Sequence, residues 1–143
     1  MYAGVGSSPS GVVSRESPVV ITSYQDLDVW QRSIDLVEEC YRVTATFPND
    51  ERFGLTSQIR RAAVSVPANI AEGFGRDQTG GYIQFLRIAQ GSLRELETHL
   101  IIAERVKIAA TTALAAAKEL TDRVGRMLRA LIRSLEAKRS AAS

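Results

Sequence analysis

Three kinds of residue in this chain have the potential for chemistry: one histidine, a serine within a polar helical stripe, and rows of arginine. His99 stands four residues after Glu95, a spacing that places two metal ligands on one helical face. A di-iron bundle site needs a Glu-x-x-His pair on each of two helices. The sequence holds neither that motif nor a second histidine. Ser65 has no histidine or lysine at motif spacing to activate it, and Gly73-Phe74-Gly75 lacks the lysine and strand context of a phosphate loop. Glu95 and Glu97 project about 160° apart on a helix, so they cannot work as one acid–base pair. Salt bridges to Arg60, Arg61 or Arg94 are their expected use. The expectation is therefore no catalytic residue, no metal and no cofactor.

The arginines point to phosphate. Arg123, Arg126, Arg129 and Arg133 form a stripe nearly opposite the leucines of the last helical segment, and only Glu119 and Asp122 stand at i to i+4 spacing from the first two. Such a face is either simply solvated or, repeated around a symmetric assembly, a multivalent phosphate-binding surface. Net charge is only +2, but its distribution is uneven. Residues Tyr24 to Thr46 carry five acids and two bases, whereas Ala109 to Ser143 carry seven bases and three acids. That asymmetry fits self-association or an acidic partner. No exposed aromatic platform for base stacking is expected, so binding would be sequence-tolerant.

The segment Gln58 to Arg76, QIRRAAVSVPANIAEGFGR, combines two stripes in one helix. Leu55, Ile59, Ala63, Val66 and Ile70 share an apolar face; Gln58, Arg61, Ser65, Asn69, Glu72 and Arg76 line a polar one about 110° away. Pro67 removes a backbone hydrogen bond at a cost of roughly 3 kcal/mol in a helix interior. Forces beyond local propensity must hold this helix. One reading is a kinked core helix with Asn69 and Glu72 bonding to other helices; the other is a functional or subunit-contact surface.

Around this helix the chain reads as all-α. Residues 1–22 are rich in Gly, Ser and Pro and are expected to be a disordered tail, with a bundle domain over 23–138 and a short tail over 139–143. Ser23, with Asp26 three residues on, caps a first helix whose core stripe is Leu27, Trp30, Ile34, Val37, Tyr41 and Ala45. A short turn at Asp50 to Phe53 precedes the second helix, and Gly73-Phe74-Gly75 stops it. A third helix of about 26 residues starts at Thr79, with Tyr82, Phe85, Leu86, Ala89, Leu93, Leu96, Leu100 and Ala103 inward. The fourth begins near Thr111 or Thr112 and turns Leu114, Ala117, Leu120, Val124, Leu128, Leu131 and Leu135 to the core. Short connections make an up-down-up-down four-helix bundle the economical solution. The one cysteine, Cys40, allows no intrachain disulfide, and no run is apolar enough to span a bilayer. A cytoplasmic protein is the expectation.

Apolar residues are left over once each helix has one core face. Val29, Leu36, Cys40 and Val43 form a second stripe on helix 1, and Ile83 with Ile101 and Ile88 with Ile102 flank the core stripe of helix 3. They form either a homo-oligomer interface or one side of a wide monomer core. Gly91 fits both readings, since a helix-interior glycine permits close backbone approach.

The segment Gln58 to Arg76, its lead-in FPNDERFGLTSQIRRA and its sequel FLRIAQGSLRELETHLIIAERV resemble the bacterial family named for proteins encoded in intervening sequences of 23S ribosomal RNA genes. The likeness covers about Tyr24 to Leu135. The resemblance implies a four-helix bundle assembled into a ring-like homopentamer, and kinship with accessory proteins of diversity-generating retroelements, which associate with nucleic acid and a reverse transcriptase. The family has no established enzymatic activity. The preferred reading is a non-enzymatic oligomer that binds RNA or DNA backbone through the motif arginines Arg60, Arg61 and Arg76 and the helix 4 row Arg126, Arg129 and Arg133. The alternative is a protein-interaction scaffold, in which the motif arginines pair internally with Glu72, Glu95 or Glu97.

Overall fold

The computed structural model describes residues 20–142. Four helices carry the fold: α1 (Asp28–Thr44), α2 (Leu55–Phe74), α3 (Thr79–Arg105) and α4 (Thr111–Ala142), with 3-10 turns at Tyr24–Asp26 and Asn49–Glu51. Each helix packs on its neighbours in the chain and α1 closes against α4, while the diagonal pairs stay apart. This is the expected up-down-up-down bundle. No helix among the described residues is long and apolar enough to cross a membrane.

Local chemistry sets most boundaries. Ser23 forms a capping box with Asp26, but the box heads the 3-10 turn, and α1 starts only after Leu27 breaks to extended backbone. At the end of α3 the Ile108 and Lys107 amides donate to the Ala103 and Glu104 carbonyls, with Lys107 in the left-handed region at φ 65°. That reverse turn closes the helix without glycine. Two boundaries differ from expectation. Gly73 and Phe74 lie inside α2, and α4 continues to Ala142 through residues expected to be a tail. Residues 1–19 of the expected N-terminal tail lie outside the described residues.

The core faces of α2, α3 and α4 are those the periodicity marks, with Tyr82, Phe85, Leu55, Leu120, Leu131 and Leu135 half-buried at their margins. Helix α1 is turned the other way. Val29, Leu36, Cys40 and Val43 are buried in the bundle, whereas Trp30, Ile34 and Val37 are half-buried and Tyr41 is exposed. They follow heptad spacing with Ser33, whose hydroxyl is satisfied by the Trp30 carbonyl. The aromatic stripe works at the rim instead: Trp30 packs edge-on against Tyr24, and the Arg60 guanidinium covers the Tyr41 ring at 4.4 Å. Large rings with polar ends fit a margin better than a narrow seam. Burial pushes the Cys40 thiol up to about 12, with the Glu39 charge adding to the effect.

Candidate nucleic-acid interface

The polar stripe of α2 divides into separate jobs. Ser65 reaches across to Ser92 of α3 with hydroxyl oxygens 2.8 Å apart, and Asn69 donates back along its own helix to the Ser65 carbonyl (2.8 Å) and hydroxyl (3.0 Å). Glu72 takes the Arg76 guanidinium at 2.8 Å within α2. Among the described residues the interhelical bonds expected of Asn69 and Glu72 are thus absent, and Ser65 supplies the crossing instead. Gln58 is exposed. The helix runs through Pro67, which is buried.

Close approach explains the small residues of this seam. A Cβ on Gly73 would stand 2.9 Å from the Phe85 Cβ and 3.1 Å from the Tyr82 carbonyl oxygen. Gly73 therefore serves contact with α3, not helix termination.

The six proposed arginine sites do not form one surface. Arg60 is a tie between α1 and α2: its Nε donates to Thr44 Oγ1 at 2.9 Å while its guanidinium covers Tyr41. Arg76 lies over the Phe85 ring at 4.5 Å besides pairing with Glu72. Arg61 is exposed and has no ion pair. On α4, Arg126 is held by Asp122, whereas Arg123, Arg129 and Arg133 are exposed and have no ion pair among the described residues. Glu119 does not reach Arg123.

Between α3 and α4 runs a groove of about 210 Å3, and its lining includes Gln90, Arg94, Glu97, Asp122, Gly125 and Arg129 over a Leu93 floor. Gly125 keeps the floor low, since a Cβ there would meet Leu93 Cδ2 at 3.4 Å and Arg129 Nη1 at 3.7 Å. Neither Glu95 nor Glu97 pairs with an arginine, contrary to expectation. The Glu95 carboxylate lies 3.6 Å from His99 Nε2, and Glu97 faces the groove. Both ring nitrogens of His99 are buried without a hydrogen-bond partner. Toward the end of α3 the groove is bridged by Lys118, which donates to Glu104, and by Thr111, whose hydroxyl donates to the same carboxylate at 2.7 Å. These bonds hold the Glu104 carboxyl below the usual range. The other end is bridged by Arg87 and Glu136.

Of the apolar residues expected at a subunit contact, Val29, Leu36, Cys40, Val43 and Ile83 are inside the core and unavailable. Ile88, Ile101 and Ile102 remain exposed at 45%, 43% and 41%. Ile101 belongs to the α3/α4 side, next to Leu100 and Lys118. The expectation of no exposed aromatic also fails, because Phe53 is 85% exposed with the Arg52 guanidinium 4.9 Å from its ring centre. Sequence reasoning missed the α3/α4 groove; the available signal was a glycine at the centre of α4 opposite the i, i+3 pair Arg94 and Glu97.

The sequence profile of the 23S rRNA-intervening sequence protein family matches residues 25–130. The chain belongs to this family. No curated protein matches this member of the 23S rRNA-intervening sequence proteins. Among solved structures it is similar to a protein of unknown function from the S23 ribosomal protein family of Bacteroides thetaiotaomicron. The two share 20% identity over 73% of this chain and 97% of the other, with a TM-score of 0.66. At that identity the likeness establishes the fold alone.

Proposed function

We propose that this 23S rRNA-intervening sequence protein is a non-enzymatic homo-oligomer, a ring of five by family resemblance, that binds nucleic-acid backbone through the outer arginines of α4. The observation that carries the reading is that Arg123, Arg129 and Arg133 stand exposed along one helix without a carboxylate partner. Each phosphate contact alone is weak, and repetition around a ring multiplies them. Arg61 lies on α2, diagonal to α4 and away from this surface, and Arg60 and Arg76 are occupied within the chain. Ile88 and Ile102 on the outer side of α3 supply aliphatic area for self-association.

The test is binding of generic RNA and DNA at two salt concentrations by wild type and by an Arg123→Ala, Arg129→Ala, Arg133→Ala variant. Wild type loses affinity steeply with salt, and the triple variant shows a shallower slope. No binding at low salt removes the proposal. A second reading, a scaffold for a protein partner such as a reverse transcriptase, is favoured by the same exposed Ile88 and Ile102. Binding that is insensitive to salt and blocked by Ile88→Asp would establish it.

A further inference from the structure

Arg94 and Glu97 are three residues apart on α3, where opposite charges ordinarily pair, yet no ion pair joins them. Both line the α3/α4 groove, one residue cationic and the other anionic. Arg129 enters the same groove from α4, its guanidinium 3.7 Å from the position a Gly125 Cβ would occupy, and it too lacks a partner. Asp122, the other acid of the lining, is neutralised by Arg126. What remains is two cations on opposite walls, one free carboxylate and the Gln90 amide around an open space of about 210 Å3. A simple anion would satisfy the guanidiniums and leave Glu97 repelled. The fitting ligand carries an anionic group and hydroxyl donors a few ångströms apart.

We infer that the α3/α4 groove seats one ribonucleotide unit of an RNA strand, with the phosphate between Arg94 and Arg129 and the ribose hydroxyls donating to Glu97. A carboxylate that accepts from a 2′-hydroxyl is one physical means of telling RNA from DNA. The inference rests on the proposed backbone-binding reading: a strand tracking the α4 arginines crosses the groove where Arg129 joins row and lining. It adds two residues of α3, Arg94 and Glu97, to the contact surface and a sugar preference to an otherwise indifferent charge surface.

The experiment is fluorescence anisotropy with a single-stranded RNA and a DNA of the same sequence, using full-length wild type, Arg94→Ala and Glu97→Ala. Both positions are exposed, and circular dichroism is the check that the variants fold. Wild type binds the RNA several-fold more tightly than the DNA. Glu97→Ala abolishes that preference, while Arg94→Ala weakens both ligands and lowers the salt slope by about 0.7, the contribution of one phosphate on a single strand. Equal RNA and DNA affinity in wild type, or a preference that survives Glu97→Ala, overturns the inference. Salt-sensitive binding that depends on Arg123 and Arg133 but ignores Arg94→Ala also overturns it and leaves the broader reading intact. A wild type that binds neither ligand removes both.

Discussion

On its α2 side, α3 is drawn in by residues with little or no side chain; on its α4 side it stands off across charged ones. Gly73 lets α2 approach until a single added carbon would collide, and the Ser65–Ser92 pair closes the seam with hydroxyls too short to hold the helices apart. Opposite, Gly125 does the reverse: it lowers the floor of a groove whose walls carry Arg94, Glu97 and Arg129. Glycine thus serves closure in one interface and vacancy in the other. The lesson is that a residue type has no fixed meaning until the neighbouring helix is placed.

Substituting the two glycines should separate the interfaces most sharply. Gly73→Ala must displace Phe85 or the Tyr82 backbone, and overpacking of this kind costs about 1–3 kcal/mol, outweighing the gain in helix propensity. Urea denaturation reads that loss directly; unchanged stability would show that the seam yields. Next in size is the serine pair. Ser65→Ala leaves Ser92 unsatisfied and Asn69 short of one acceptor, so it should destabilise by about 1 kcal/mol. The double Ser65→Ala, Ser92→Ala variant should lose less than the sum of the two single changes. Strict additivity would refute direct coupling.

Gly125→Ala is expected to be nearly neutral, because the propensity gain of up to about 1 kcal/mol offsets a 3.4 Å contact that the flexible end of Leu93 can relieve. A loss as large as that from Gly73→Ala would erase the contrast between the interfaces. The smallest effect is at the bridged end of the groove. Hydrogen bonds from Lys118 and Thr111 lower the Glu104 carboxyl, so the folded value lies below the unfolded one. Stability from this link is present above the unfolded carboxylate value and fades as pH falls through the lowered folded value. Melting temperatures of wild type and Glu104→Gln should differ at pH 7 and draw together as the pH falls through the lowered folded value; a gap that stays constant on acidification would count against the link.

The four helices, their order and three of the four core faces were legible in the sequence because apolar periodicity depends only on the helix itself. The facing of α1 was not, because it carries two apolar stripes and periodicity cannot choose between them. Size favoured Trp30 and Tyr41, but packing room favoured Val29, Leu36, Cys40 and Val43. The candidate site was less legible still. Arginines announce themselves, yet whether Arg60 meets Thr44 or solvent depends on a residue 16 positions away in another helix. The α3/α4 groove is defined by what Gly125 lacks, and a lone mid-helix glycine signals an opening only once the helix facing it is known.

The lone thiol supplies a clock. Cys40 is fully enclosed and held protonated by burial, so a thiol-reactive dye can label it only in molecules whose bundle has momentarily parted. When reclosing outpaces the dye, the labelling rate divided by that of a free thiol gives the equilibrium constant for opening at that one place. No engineered probe is required. Followed with and without RNA, the same ratio would report how far a ligand bound outside the core restrains the breathing of the helices within.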